Sequence, residues 1–272
     1  MNNIPETSRE KTLMGDIVLV DGQPGCGKTL FSAIIAAMER VELLKYSPEL
    51  ENICALNYLN KISTDAAKSM IRIQMDLEIY ETMMSRNTNF RPKDLSSAFR
   101  DVDFFKYIKR LFQKGDELIP DRIRKEKPIM HYATHNLLGF SKPIFESIGK
   151  KLKIIEIVRH PLYMLIQQTY NMSNQLESDG SSRQFHLYIK HNDQQLPFWN
   201  FGQEKLFLKS NAVERAIYEM KMISDLSNDF KKNSDFIDQI ITIPFESFVL
   251  NPWFFINKIK DLIKSKKTKK TK

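Results

Sequence analysis

Gly22, Gly27, Lys28 and Thr29 occupy the fixed places of a G-x-x-x-x-G-K-[ST] pattern. The chemistry of such a segment is anion binding. Backbone N–H groups of Gly25, Cys26, Gly27, Lys28 and Thr29 can converge on one concavity at the positive end of the following helix. Lys28 adds a point charge. Two more residues stand at the ends of apolar runs. His135 follows Thr134, and histidine is the side chain that exchanges a proton near neutrality. Arg159 follows Val158, and a guanidinium makes two charge-assisted bonds to a phosphate.

These groups need a sheet to bring them together. Ile17 to Val20 is a short apolar run ahead of the glycines, giving strand, phosphate loop and helix in succession. Pro128 to His135, Leu152 to Val158 and Gln239 to Pro244 read as further strands. Between them the chain reads as helix: Pro48 to Asn60, Thr64 to Met84 with Ile71, Met75, Ile79 and Met83 a turn apart, Ser141 to Ile148, a helix opening at Pro161, Asn211 to Phe230, and Trp253 to Ile263. Arg91-Pro-Lys-Asp94 resembles a helix start, with Phe99, Phe104, Phe105 and Ile108 beyond it. Val213, Ile217, Met220 and Ile223 are expected on one buried face. The polar stretch from Asn171 to Gly202 is expected to be loop-rich, with a short strand at Phe185 to Ile189. This alternation predicts an α/β fold, a mainly parallel central sheet between two helical layers, with a helical insertion at about 48–125.

The 272 residues, 42% apolar, suffice for one core, and no linker divides them: residues 1–263 are expected to form one domain. No run approaches the roughly 20 apolar residues of a membrane span, and the N-terminus lacks a signal-peptide core, which leads to the expectation of a soluble, cytoplasmic protein. Two cysteines are too few for a disulfide framework or a zinc site. Cys26 reads as a small side chain tolerated between glycines, with a reactive thiolate as the alternative. Six lysines in residues 264–272 carry most of the net charge of +8, so the body is near neutral and the tail reads as solvated and disordered. The tail has no aromatic residue for stacking on bases, and no specific nucleic-acid partner is expected.

A phosphate loop alone does not choose among nucleotide chemistries. Nucleotide hydrolases and many kinases hold magnesium with an Asp at the tip of a neighbouring strand. Here the strand tips are Thr134-His135, Arg159 and Pro244, while Asp21 directly precedes the loop. That set suits an anionic nucleotide handled without an obligatory metal.

Three separated stretches resemble the sulfotransferases that use 3′-phosphoadenosine 5′-phosphosulfate. Pro24-Gly-Cys-Gly-Lys-Thr-Leu30 is similar to that family's 5′-phosphosulfate loop, Thr134-His135 to its Thr-His segment, and Lys153-Ile-Ile-Glu-Ile-Val-Arg-His-Pro161 to its strand carrying the 3′-phosphate. Ile243-Pro-Phe-Glu-Ser-Phe-Val-Leu-Asn-Pro252 resembles a later strand and turn more loosely. The resemblance implies a P-loop NTPase-like fold and a co-substrate held by Gly25, Cys26, Gly27, Lys28, Thr29, Leu30, Arg159 and Gln167. It implies Lys28 and His135 as catalytic residues, no metal, and a hydroxyl or amine acceptor such as a carbohydrate or small metabolite. The sequence departs from the family where Gly25 replaces a basic residue, where Lys28 supplies the charge instead, and where Gln167 replaces a Ser. An ATP- and magnesium-dependent kinase and a non-catalytic nucleotide-binding protein remain the alternatives. His131 could share the proton of His135 or simply pack. Phe198-Trp199-Asn-Phe201 suits sugar rings or phenols, or a small satellite core.

Overall fold

The computed structural model describes residues 5–176 and 185–266. Strands β1 (Asp16–Asp21), β2 (Lys45–Tyr46), β3 (Ile129–Ala133), β4 (Leu152–Val158) and β7 (Ile240–Pro244) form one parallel sheet in the order β2-β3-β1-β4-β7. Strand β1 is central because Ile17 to Val20 is apolar at every position, as a strand covered on both faces must be. Its side chains alternate between two cores. Ile17 and Leu19 join Met130, Tyr132, Leu152 and Ile154 on one face; Val18 and Val20 join Ile129, Ile155, Ile157 and Ile243 on the other. The chain is thus an α/β three-layer fold.

On the first face lie α2 (Pro48–Tyr58), α3 (Thr64–Thr82) and α6 (Lys142–Ile148). The expected stripe of α3 is buried: Ile71, Met75, Ile79 and Met83 are each at most 1% exposed. Each such side chain contributes roughly 1.5–3 kcal/mol of burial. The helical insertion therefore supplies one wall of the main core. On the other face lie α1 (Lys28–Ala36), α7 (Pro161–Leu176), α10 (Phe245–Leu250) and α11 (Pro252–Leu262). Helix α9 (Ala212–Asn233) serves both, with Ile223 in the first core and Met220 in the second.

Several elements differ from the sequence expectation. Asp94 does not cap a helix; its carboxylate accepts from the Asn89 amide within a turn, and α4 begins at Phe104 (Phe104–Leu111). Phe105 is 78% exposed and Phe99 52%, so that aromatic spacing does not mark a core face. The expected strand at Phe185 to Ile189 shifts to β5 (Tyr188–His191), which pairs with β6 (Gln194–Pro197). Asn192 and Asp193, both at positive φ, form the two-residue turn that sets this register. Residues 177–184 of the expected loop-rich segment lie outside the described residues, and helix α7 runs through Leu176 before them.

In α9 the buried face carries Arg215, Ala216, Glu219, Met220, Ile223 and Ser227, whereas Val213 and Ile217 are exposed. The helix is turned this way because Gln23 donates to the Met220 carbonyl at 2.9 Å and Trp199 donates to Glu219 at 2.7 Å. The start of the Lys tail is also fastened. Ser265 Oγ donates to the Glu39 carbonyl at 2.6 Å, and the Glu39 amide donates to the Lys266 carbonyl at 3.0 Å. Residues 267–272 lie outside the described residues.

Candidate functional site

The chain leaves β1 for β2 and β3 on one side and later for β4 and β7 on the other, so the strand order reverses at β1. Open parallel sheets bind ligands at such a switch point, beyond the carboxyl ends of the strands. The tips of β3, β1 and β4 bring Thr134-His135, the glycine loop and Arg159 there.

Asp21 closes β1 and is 2% exposed. It accepts from Thr134 Oγ1 at 2.9 Å and from the Leu137 and Leu138 amides, the latter at 2.8 Å. Both carboxylate oxygens are therefore committed to joining β1 with the segment after β3. The loop begins next. Gly25 and Gly27 have φ of 88° and 103°, values that L-residues other than glycine rarely adopt. A Cβ on Gly27 would stand 2.4 Å from the Phe245 ring. The Cys26 amide donates to the Gln23 carbonyl at 3.2 Å and so belongs to the loop's own turn, contrary to the expectation that it points into the concavity. The amides of Gly25, Gly27 and Thr29 have no acceptor among the described residues. Burial raises the Cys26 thiol, which makes it a packed side chain and removes the thiolate alternative. Lys28 turns back on its loop and donates to the Gly22 carbonyl at 2.5 Å and the Gln23 carbonyl at 3.2 Å. Thr29 and Leu30 are exposed at the start of α1.

Arg159 extends from the tip of β4 over the loop. Its Nη1 donates to the Gly25 carbonyl at 3.1 Å, and its guanidinium lies 4.8 Å from the Phe245 ring centre and 5.6 Å from that of Tyr163. Glu246 is 3.9 Å from Nε. Gln167 leans over the same glycine, its Oε1 2.9 Å from where a Gly25 Cβ would sit. Gln168 beside it is buried and donates to the Pro24 carbonyl at 2.9 Å.

His135 is half exposed. Glu51 of α2 accepts its amide at 2.8 Å and lies 3.4 Å from Nδ1. His131, in contrast, is fully buried within β3, neither ring nitrogen has a partner, and burial pushes its pKa down to about 3. It packs as a neutral side chain and shares no proton with His135.

Between His135 and the loop opens a cleft of about 710 Å³ lined by Pro24, Glu51, His135, Gln167 and the aromatic side chains Tyr46, Phe140, Phe198 and Trp199, among others. Phe198 and Trp199 are at once part of the main core and of this wall, while Phe201 is exposed.

No protein-family model matches the chain, and no curated protein sequence matches it. Solved structures with a similar chain path include three sulfotransferases. The sulfotransferase domain from the Synechococcus PCC 7002 olefin synthase matches at 11% identity and a TM-score of 0.49, over 98% of this chain and 78% of that one. The sulfotransferase domain from the curacin biosynthetic pathway matches at 10% identity and a TM-score of 0.47, over 96% and 77%. A sulfotransferase from Alicyclobacillus acidocaldarius matches at 12% identity and a TM-score of 0.43, over 92% and 81%.

The sequence reading missed the residues that hold these groups in place. Glu51, Gln168, Phe245 and Glu246 each act on a neighbour distant in sequence, and only Phe245-Glu246 lay in a stretch already singled out. Glu51 is in principle legible as an acid in the first turn of a helix that begins just after a strand.

Proposed function

We propose that the protein is a sulfotransferase that takes a sulfuryl group from 3′-phosphoadenosine 5′-phosphosulfate and gives it to an acceptor in the cleft. The observation that carries this reading is the meeting of Lys28, Arg159 and His135 at three adjacent strand tips, with an open cleft on the His135 side and one strand-tip carboxylate, Asp21, already saturated by hydrogen bonds.

The residues present suit the co-substrate. Unfilled amides of Gly25, Gly27 and Thr29 form a cradle for its 5′ anionic end, and Lys28 exchanges its loop carbonyls for that charge. Arg159 and Gln167 offer donors to the 3′-phosphate beside Gly25. When bound, the co-substrate supplies the sulfuryl group and leaves as adenosine 3′,5′-bisphosphate. Lys28 and the loop amides stabilise the negative charge that grows on the loop side. His135 takes the proton of the acceptor through Nε2 when Nδ1 carries its own proton toward Glu51 Oε1, which fixes both tautomer and ring direction.

A magnesium-dependent phosphoryl transfer from ATP is the second reading, favoured by Lys28 and by the exposed Thr29 hydroxyl at the start of α1. Calorimetry with adenosine 3′,5′-bisphosphate and with ATP, each with magnesium and with EDTA, separates the two. Tight bisphosphate binding that ignores EDTA is the expected result; binding that requires ATP and magnesium together overturns it.

A further inference from the structure

One wall of the cleft carries a charge pattern that the reaction itself does not require. Glu219 lies on the buried face of α9 between apolar neighbours and is 5% exposed. A carboxylate in such surroundings is costly unless partnered. Its single partner among the described residues is the Trp199 indole, which donates to Oε2 at 2.7 Å. Oε1 has no hydrogen bond among the described residues and yet is not sealed off, because Glu219 lines the cleft. Burial pushes the carboxyl up to about 7.

The other charges around the cleft do not complement it. His186 packs tilted against Trp199 with ring centres 4.7 Å apart, and burial pushes it down to about 4, so it is neutral across the physiological range. Glu51, His135 and Tyr46 are the other titratable groups lining the cleft, and Tyr188 lies near Glu219; Arg215, one turn earlier on α9, is engaged with the Phe207 and Leu208 carbonyls instead. Two carboxylates and no lysine or arginine line the cleft among the described residues, although the chain as a whole carries a net charge of +8. The same cleft is lined by Trp199, Phe198 and Phe140, whose rings pack edge to face on one another, and aromatic rings of this kind attract organic cations.

We infer that Glu219 selects acceptors that carry a protonated amine, holding the ammonium between its free oxygen and the aromatic wall while the hydroxyl to be modified faces His135. This rests on the cleft being the acceptor side of the reaction proposed above. An ammonium brings the missing partner of the carboxylate, keeps it ionised, and in turn gains an acceptor shielded from water. A neutral alcohol supplies a hydrogen bond only.

The test is calorimetry with tyramine and 4-ethylphenol, which share a phenol ring and a two-carbon chain and differ by the ammonium. Wild type at pH 8 is expected to bind tyramine at least 10-fold tighter. Glu219→Gln, which keeps an acceptor for Trp199, is expected to abolish that preference; Trp199→Phe is expected to keep a preference. Lowering the pH from 8 to 6 protonates Glu219 and is expected to weaken tyramine binding in wild type. Glu219→Gln retains His135 and so reports any contribution of that residue to the pH dependence. Equal binding of the two ligands by wild type, or a preference that survives Glu219→Gln, overturns the inference. Should Glu219→Gln not fold, the wild-type preference and its fall toward pH 6 decide alone. Adenosine 3′,5′-bisphosphate titrated into the same samples reports the nucleotide site separately. Bisphosphate binding without an amine preference overturns the inference and spares the sulfotransferase reading; an amine preference without bisphosphate binding does the reverse.

Discussion

Arg159 and Gly25 are joined across 134 residues of chain: the guanidinium at the tip of β4 donates to the glycine carbonyl at 3.1 Å. The same side chain thus braces the glycine loop, while its Nε is buried without a hydrogen bond. Glu246 stands 3.9 Å away and balances part of its charge. A cation held this way is preorganised, since strand, loop and the Phe245 ring all restrict it.

Arg159→Ala is expected to lower affinity for adenosine 3′,5′-bisphosphate by roughly 30-fold or more, the loss of a bidentate partner to a phosphate dianion being worth about 2–4 kcal/mol. Because Gly25 loses its brace as well, adenosine 5′-monophosphate should lose a few-fold. Calorimetry on both ligands checks this, and equal losses for the two would remove the 3′-phosphate from the role assigned to Arg159.

On the proposed reading, loss of the imidazole at position 135 is expected to affect turnover and spare the nucleotide. His135→Ala is expected to reduce kcat by roughly 10² with little change in bisphosphate affinity. Glu51→Gln keeps an acceptor for the His135 amide but removes the charge beside Nδ1, so a smaller fall in kcat than in His135→Ala is expected. Lys28→Ala should abolish transfer and weaken bisphosphate binding together. A His135→Ala protein that loses bisphosphate binding, or its fold, would make that histidine structural.

The parts legible in the sequence are those fixed by neighbours in the chain. The strand, glycine loop and helix from Asp16 to Ala36, the stripe of α3, and the strand ending at Arg159 all follow from local spacing. What spacing could not give is rotation and long-range pairing. Val213 and Ile217 fit a helical face, but Gln23 and Trp199 turn that helix so that Glu219 faces inward instead. Phe99, Phe104 and Phe105 fit another, and yet they cluster mostly with one another at the surface. Glu51 and Gln168 have no motif around them. Their roles come from the packing of α2 and α7 against the site.

Gly27 should tolerate no side chain. An alanine there combines a strained φ of 103° with a Cβ placed 2.4 Å from the Phe245 ring, and that ring is also packed by Arg159. Gly27→Ala is expected to cost about 1–3 kcal/mol of stability from the backbone conformation alone and to abolish bisphosphate binding. In the Phe245→Ala background the clash is relieved but the backbone cost stays. Thermal unfolding and calorimetry of the two variants check both halves; full recovery of binding in the double variant would mean that the glycine serves clearance only.

His131 gives the fold an acid sensitivity that is independent of the site's chemistry. Burial without a partner pushes its pKa to about 3 in the folded chain, against roughly 6.5 when unfolded. Between those values the unfolded chain binds a proton at this residue that the folded chain does not, so stability rises with pH there. Its contribution is therefore fully present above the unfolded value and is lost progressively as the pH falls from about 6.5 toward 3. His131→Leu fills a similar apolar position on the Ile129 face of β3 and removes the titration. Melting temperatures of wild type and His131→Leu from pH 7.5 to 4 are expected to diverge as the pH falls, the variant losing less. Parallel curves would mean that the imidazole is charged, or is reached by water, within the folded protein.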